Sequence, residues 1–468
     1  GGRGEGEVTD ELNKATLLFD SRIEGGNLGR AVQVHEFEYD LYLMPDTNTA
    51  ASRSGGNTQW YYFAVTNMRS DVEYKINIVN FVKPDSLYNM GMRPAMYSAL
   101  DCLQGQSGWR RVGDRIAYYE NNLETDVGQP YYTLTFTITF PHAKDVCYLA
   151  HCYPYSYTDL SNCLTDLLSR PSAHKHIQMS TMCNTLVGNK APCLTITNFN
   201  SPPGAIQSRR AICVSARVHP GETCASWTMQ GFLEFICGGG ARARILRDNF
   251  VFKVVPMLNP DGVINGNYRC SVSGHDLNRQ WLNPDRGLHP TIHSIKQVLR
   301  GTKSTRDVSI YCDIHGHSRK CNMFMYGCSS KTPSLRLKER VFPYLLHNDS
   351  LMFSYDDCNF KVQRCKESAA RVVVWREFSV PNSYTLEMSL GGGDFGEDPL
   401  VKPPMHFTIE DYIDMGRLFC EGILDLYDPG RVRLEAALNE LEQLHPEVKR
   451  QQQQDEDEGE KPPRSRGE

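Results

Sequence analysis

From Phe19 to about Pro154 the sequence carries one strand pattern after another with no helical period between them. VQVHEFEYDLYLM, QWYYFAVTNM, YKINIVNFV, RIAYYEN and YYTLTFTITF alternate apolar and polar residues or run in β-branched and aromatic ones. Turn clusters such as PDTNTAASRSGGN separate them. Strands without intervening helices bury their apolar faces against another sheet, so an all-β antiparallel sandwich domain is expected over residues 16–156. The preceding residues 1–15 are rich in glycine and charge and are expected to be flexible.

Near Tyr157 the pattern changes. TDLSNCLTDLLSR has helical spacing, and strands then alternate with helices. AICVSARV (211–218) reads as a buried strand, followed by a helix from about Thr223 to Cys237 that Gly238, Gly239 and Gly240 end. NFVFKVVPML, DVSIYCDI (307–314) and SYTLEMSL (383–390) read as further strands. TIHSIKQVLR, SLRLKERVFPYLLHN and Ile409–Leu426 read as helices, the last with Thr408 as N-cap and Asp411 completing a capping box. Such alternation predicts an α/β domain over 157–430, a mixed, mostly parallel sheet with helices on both faces. Residues 431–468 read as a charged helical segment and a polar, disordered tail ending QQQQDEDEGEKPPRSRGE.

Composition narrows the function. The 468 residues carry a net charge of -5, without the basic excess of a nucleic-acid-binding protein. No run approaches the length of a membrane span, and GGRGEGEVTDELNKA has no secretory signal pattern. The sixteen cysteines form no CxxC pair and lie within apolar runs such as EFICGG. Reduced thiols used as small hydrophobes fit that placement, which points to the cytoplasm.

Chemistry concentrates in four stretches. VHPGETCASW sets His219 and Glu222 three apart at the end of a strand, either as a metal-binding pair or as a strand-to-helix turn with Glu222 serving the helix dipole. DIHGHS offers His315 and His317 after another strand, and either would complete the two-histidine, one-glutamate set of a catalytic zinc. YTLEMSL places Glu387 inside an apolar strand, where a carboxylate is costly to bury without a partner, and a hydrolytic site needs such a base. NGNYRCSVSGHDLNRQW supplies Arg269, Asn278 and Arg279, donors suited to holding a carboxylate.

Together HPGE, NPDGVINGNYR, DLNRQW, DIHGHS and SYTLE resemble the zinc metallocarboxypeptidases of the carboxypeptidase A superfamily, and within it the cytosolic carboxypeptidases, or tubulin deglutamylases. FDSRIEGGNLGRAVQV, FVKPDSLYNMGMRPAMYS and YYTLTFTITFPHAKDVCYLAHCYPY resemble the β-rich domain ahead of the catalytic domain in that group. EFEYDL and FPHAKDVCYLA are similar to its Nna-type branch. The resemblance covers roughly residues 16–428.

It implies one zinc ion per chain on His219, Glu222 and His315, the family ligand being the first histidine of its HGH stretch. It implies Glu387 as the general base, Arg269 as the group that polarises the scissile carbonyl, and Asn278 and Arg279 as holders of the substrate's terminal carboxylate. The pancreatic-type relatives carry a mobile tyrosine upstream of the base; none lies between Tyr355 and Tyr384 here, so that role is either absent or filled from elsewhere. Arg371, near where relatives line the pocket for the leaving side chain, is expected to favour acidic residues, with Arg364 and Lys366 close in sequence. Arg319 and Lys320 would widen a positive funnel.

The expected function is removal of C-terminal glutamates from acidic protein tails, foremost polyglutamylated tubulin. The expected partners are tubulin or other glutamate-rich proteins, not nucleic acid or membrane, in a cytoplasmic location associated with microtubules or cilia. The alternatives are a zinc amidohydrolase of the aspartoacylase or desuccinylase type and a catalytically silent protein that binds acidic tails.

Overall fold

The computed structural model describes residues 16–49, 56–106, 108–330, 337–394 and 405–446. The expected flexible stretch 1–15 and the tail from 447 lie outside the described residues. The early strands are β1 (Leu18–Asp20), β2 (Arg30–His35), β3 (Glu38–Tyr42), β4 (Tyr62–Thr66), β5 (Glu73–Phe81), β6 (Ala95–Ser98), β7 (Arg110–Arg111), β8 (Asp114–Glu124), β9 (Pro130–Thr139) and β10 (Cys147–Ala150). They form two five-stranded sheets, β1-β4-β10-β6-β7 and β2-β3-β5-β9-β8.

Two details depart from the sequence reading. VQVHEFEYDLYLM is not one strand but the hairpin β2–β3, reversed at Glu36 and Phe37. The region is also not wholly antiparallel, because β3 and β5 pair parallel. Between them the chain runs through β4 in the other sheet, so β5 enters its sheet from the same end as β3. Phe63, Val65 and Leu149 from one sheet and Tyr39, Ile76 and Phe136 from the other belong to one buried core. Phe19 joins them, its ring 5.5 Å from that of Tyr39 and 5.8 Å from that of Phe63.

The second region is built on a seven-stranded sheet of β11 (Ile177–Asn184), β12 (Lys190–Ile196), β13 (Arg210–Ala216), β14 (Phe250–Val255), β15 (Val308–His317), β16 (Met323–Tyr326) and β17 (Asn382–Ser389). Its order is β11-β12-β14-β13-β15-β17-β16. Only the four central strands run parallel. Both ends of the sheet pair antiparallel, so the sheet is mixed, as expected, with four of its seven strands parallel. The reason is loop length: a tight turn joins β11 to β12, and a short link returns the chain from β15 into β16, whereas a parallel crossover needs about a dozen residues.

Seven helices matter for the site: α1 (Tyr157–Ser169), α2 (Cys224–Ile236), α3 (Pro290–Lys303), α4 (Lys338–Asp349), α5 (Ala370–Glu377), α6 (Ile409–Leu426) and α7 (Val432–Leu444). Alternation along β13 shows that helices cover both faces. Ala211 and Cys213 pack with Ile292 and Ile295 of α3 and Val373 of α5, while Ile212 and Val214 pack with Phe232 of α2 and Phe419 of α6. The capping box of α6 is present, with Thr408 N donating to Asp411 Oδ2 at 2.7 Å and Asp411 N to Thr408 Oγ1 at 3.2 Å. The charged segment after Pro429 is no appendage. It forms α7, whose Ala437 and Leu441 are buried in the common core.

All sixteen cysteines are free thiols, eleven of them buried and only Cys102 and Cys365 exposed. No helix of the described residues is long and apolar enough to cross a membrane. Helices α2 and α6 touch through two glycines. A Cβ on Gly231 would lie 2.0 Å from the Ile413 carbonyl oxygen, and one on Gly416 2.1 Å from that of Thr228. Gly416→Ala therefore forces two backbones apart and is expected to destabilise the protein by about 1–3 kcal/mol or more, read from the denaturant midpoint. An unchanged midpoint would contradict this packing.

Candidate metal centre

β13 ends at Ala216, and the next residue, Arg217, adopts a left-handed backbone with φ of 58°. Its buried guanidinium reaches forward, Nε donating to the Pro220 carbonyl at 2.7 Å and Nη1 to Tyr155 O at 3.0 Å and Ser226 Oγ at 2.8 Å. From the other side Gly221 N donates to Tyr268 O at 2.7 Å, and a Cβ on Gly221 would fall 2.5 Å from the Tyr268 ring. The His-Pro-Gly-Glu turn is thus gripped from both sides before α2 begins, and His219 and Glu222 point to one place.

There they meet His315, near the end of β15, which runs three residues beyond the expected end at Ile314. Glu222 Oε1 lies 2.7 Å from His219 Nδ1, and Oε2 lies 3.0 Å from His315 Nδ1 while accepting Gly316 N at 3.0 Å. One ligand atom from each of the three residues lies within 4.8 Å of the others, and all three residues are buried. The far ring nitrogens are held as well, His219 Nε2 by Asp276 Oδ1 at 3.1 Å and His315 Nε2 by Asp313 Oδ2 at 2.8 Å. Each imidazole therefore sits between two carboxylates. Burial alone would raise the Glu222 carboxyl, but His219 and His315 hold it well below the usual range. Burial opposes charge on His315, yet Asp313 and Glu222 keep its imidazole far above the ordinary value. Two imidazole nitrogens and a carboxylate, oriented by outer carboxylates and rich in negative charge, are a donor set that fits zinc. His317 is outside the group. Its Nδ1 accepts Lys320 N at 2.9 Å, and burial lowers its pKa to about 4.

Glu387 comes from the neighbouring strand. The β15–β17 register sets His315 directly opposite Glu387, and β16 covers the other side of β17 with Phe324 opposite the same residue. Glu387 is thus on an interior strand, not an edge. Burial pushes its carboxyl up to about 8; His315 opposes that shift and Glu222 adds to it. Arg269 donates through Nε and Nη2 to Asp276 Oδ2 at 2.8 and 2.7 Å, so Asp276 joins Arg269 to His219.

Asn278 Oδ1 accepts Ala370 N at 2.9 Å, and its Nδ2 lies 3.4 Å from His315 Nε2. Arg279 Nη1 donates to Asn278 O at 2.8 Å and stands 4.0 Å from Asp276. Arg371 is buried at the start of α5, donates to Gly327 O, and lies 5.6 Å from the Tyr326 ring centre; burial lowers its pKa and Glu387 opposes that. Of its basic neighbours, Arg364 is exposed, while Lys366 is half-buried and electrostatically coupled to Arg269, Arg279 and Glu387. The expected funnel is partly neutralised, since Arg319 pairs with Asp85 at 3.3 Å and Lys320 with Asp357 at 2.9 Å.

Residues 169–393, which include every residue of the cluster, match the family described as zinc carboxypeptidase. This segment is a zinc carboxypeptidase domain. Human cytosolic carboxypeptidase 2 is 47% identical over 430 residues, which cover 92% of this chain and 46% of that protein. Mouse cytosolic carboxypeptidase 3 is 45% identical over 435 residues, covering 92% and 42%. The chain thus spans about half the length of the curated relatives it matches. Among solved structures, a metallo-carboxypeptidase from Burkholderia cenocepacia aligns with a TM-score of 0.71 at 21% identity, covering 88% of this chain and 99% of that one. One from Pseudomonas aeruginosa gives 0.65 at 20%, covering 87% and 98%. These two share the fold.

Three residues of the carboxypeptidase domain escaped the sequence reading. Asp313 stands two before His315 on the same strand face, a buried carboxylate in an apolar run, which is the signal that singled out Glu387. Asp276 lay unread within HDLNR, and Arg217 within AICVSARV. Asp313→Asn is expected to weaken zinc retention about 10–100-fold in chelator competition, because the His315 tautomer loses its holder. Glu387 also sets a pH dependence. A folded pKa raised to about 8 from 4.5 contributes stability below the unfolded value, which is lost as pH climbs through 8. Metal-free Glu387→Gln should therefore gain in melting temperature relative to the parent between pH 6 and 9. Parallel profiles for the two proteins would exclude the buried acid.

Proposed function

We propose that the chain acts as a zinc metallocarboxypeptidase that removes C-terminal glutamates from acidic protein tails, with polyglutamylated tubulin the foremost substrate. The observation that carries the reading is the alignment of Glu387 with His315 across adjacent strands, a base beside a donor set for one metal ion. His219, Glu222 and His315 would hold the zinc, which when bound supplies a Lewis acid for the scissile carbonyl. Glu387 accepts a proton from the attacking water and returns it to the leaving amine. Arg269, fixed on Asp276, donates to the carbonyl oxygen as negative charge develops there. Arg279 and the amide of Asn278 hold the terminal carboxylate, which restricts cleavage to the last residue.

Specificity for glutamate is supported by Arg371, a buried cation electrostatically linked to Glu387, and by Lys366 beside the same group. Removing the desolvated Arg371 charge costs an acidic side chain most. The word cytosolic in the relatives' names supports a cytoplasmic location, and the proposed substrate adds microtubules or cilia.

Mass spectrometry of glutamylated tubulin-tail peptides is expected to show stepwise loss of glutamate with the parent protein. Glu387→Gln should lower turnover by about 100- to 10,000-fold with zinc content near one per chain. Cleavage retained in that variant would remove Glu387 from the mechanism. Arg371→Met should cut kcat/KM for glutamate-terminated peptides by about 10–100-fold and leave leucine-terminated peptides little changed. Equal losses on both would assign Arg371 to the scaffold instead.

A further inference from the structure

The loop that carries Arg269 is held by the β-rich region, more than two hundred residues away in sequence. Gly25 N donates to Ile264 O at 3.0 Å, Thr47 Oγ1 to Asn267 Oδ1 at 3.1 Å, and Asn48 Nδ2 to Val272 O at 2.7 Å. Asp46 lies at the centre of this contact and is 3% exposed. Its Oδ1 accepts Tyr268 N at 2.6 Å, and its Oδ2 accepts Arg269 N at 2.8 Å and Cys270 N at 2.7 Å.

We propose that Asp46 is a positioning residue for the reaction, acting from the β-rich region through the backbone of Arg269. The inference rests on the carboxypeptidase reading above. Three consecutive amides converging on one carboxylate form a concave anion-binding nest, and the anion fixes its shape. Arg269 is then fixed at two points, its amide by Asp46 and its guanidinium by Asp276, which also orients His219. A carbonyl oxygen is stabilised only by donors held within a few tenths of an ångström of where its charge develops, so a loose backbone at Arg269 costs turnover before it costs binding. Burial pushes the Asp46 carboxyl up to about 6 while the amides of Cys270, Tyr268 and Arg269 pull it down, so the anion persists at neutral pH. Asparagine at this position would set an amide donor against backbone N–H donors.

A double-mutant cycle on the zinc-loaded chain tests this with a glutamate-terminated peptide. Arg269→Ala should lower kcat about 100-fold, and D46N about tenfold with KM within about twofold of the parent. D46N added to Arg269→Ala should cost less than about twofold more, because its effect passes through the arginine. N48G, which removes the neighbouring bond to Val272 at a left-handed position glycine accepts, should leave kcat unchanged. An additive loss in the double variant, unchanged turnover in D46N, or an equal loss in N48G would overturn the proposal. Should D46N not fold, D46E, which keeps the charge but displaces it by a methylene, takes its place in the cycle. If neither folds, the carboxylate belongs to folding and the proposal falls. Arg269→Ala at parental kcat would instead remove the carboxypeptidase role of Arg269, a result separate from these.

Discussion

The parallel register of β13, β15 and β17 is the constraint on which the site depends. It sets Ser215, Asp313 and Thr385 in one row and, two residues further along the strands, His315 beside Glu387. Ser215 Oγ donates to Asp313 Oδ1 at 2.7 Å, so the carboxylate that holds His315 is itself held from the neighbouring strand. Side chains alternate faces along a strand, and a slip of one residue between β15 and β17 would turn Glu387 to the far side of the sheet. Apolar packing on both faces fixes that register, since Ile310 and Cys312 enter one core while Val308 and Tyr311 enter the other.

On this frame the polar site is a chain of shared carboxylates. Glu222 ties the turn after β13 to β15, Asp276 ties His219 to Arg269, and Asp313 ties His315 to β13. Each carboxylate bridges two segments that are remote in sequence, so the site does not divide into independent motifs. The β-rich region is part of the same construction, because its two sheets contribute to the core that also receives α2, α4, α6 and α7.

The motifs were legible because they sit where local rules are broken: a histidine and a glutamate around Pro-Gly after an apolar strand, and Glu387 within one. Strand and helix existence was legible from period, as was the α6 cap from four residues of sequence. Strand direction was not. Hydropathy is the same for a strand read either way, so the antiparallel ends of the large sheet and the parallel β3–β5 pair became visible only with connection lengths and crossings in three dimensions. Hydrogen bonds between distant segments leave no periodic trace, which is why Asp276, Arg217 and Asp46 were silent. The choice of His315 over His317 came from family resemblance; its physical basis is that His317 Nδ1 already accepts backbone amides.

The distribution of thiols has a practical consequence. With eleven cysteines buried and three partly covered, a thiol-reactive probe meets chiefly Cys102 and Cys365. Cys102 ends up in the β-rich region, whereas Cys365 stands between Arg364 and Lys366 in a short helical turn whose lysine faces the acidic and basic groups of the site. Once Cys102 is replaced, a fluorophore on Cys365 would report from the residue next to Lys366, a natural optical handle on the surroundings of the site.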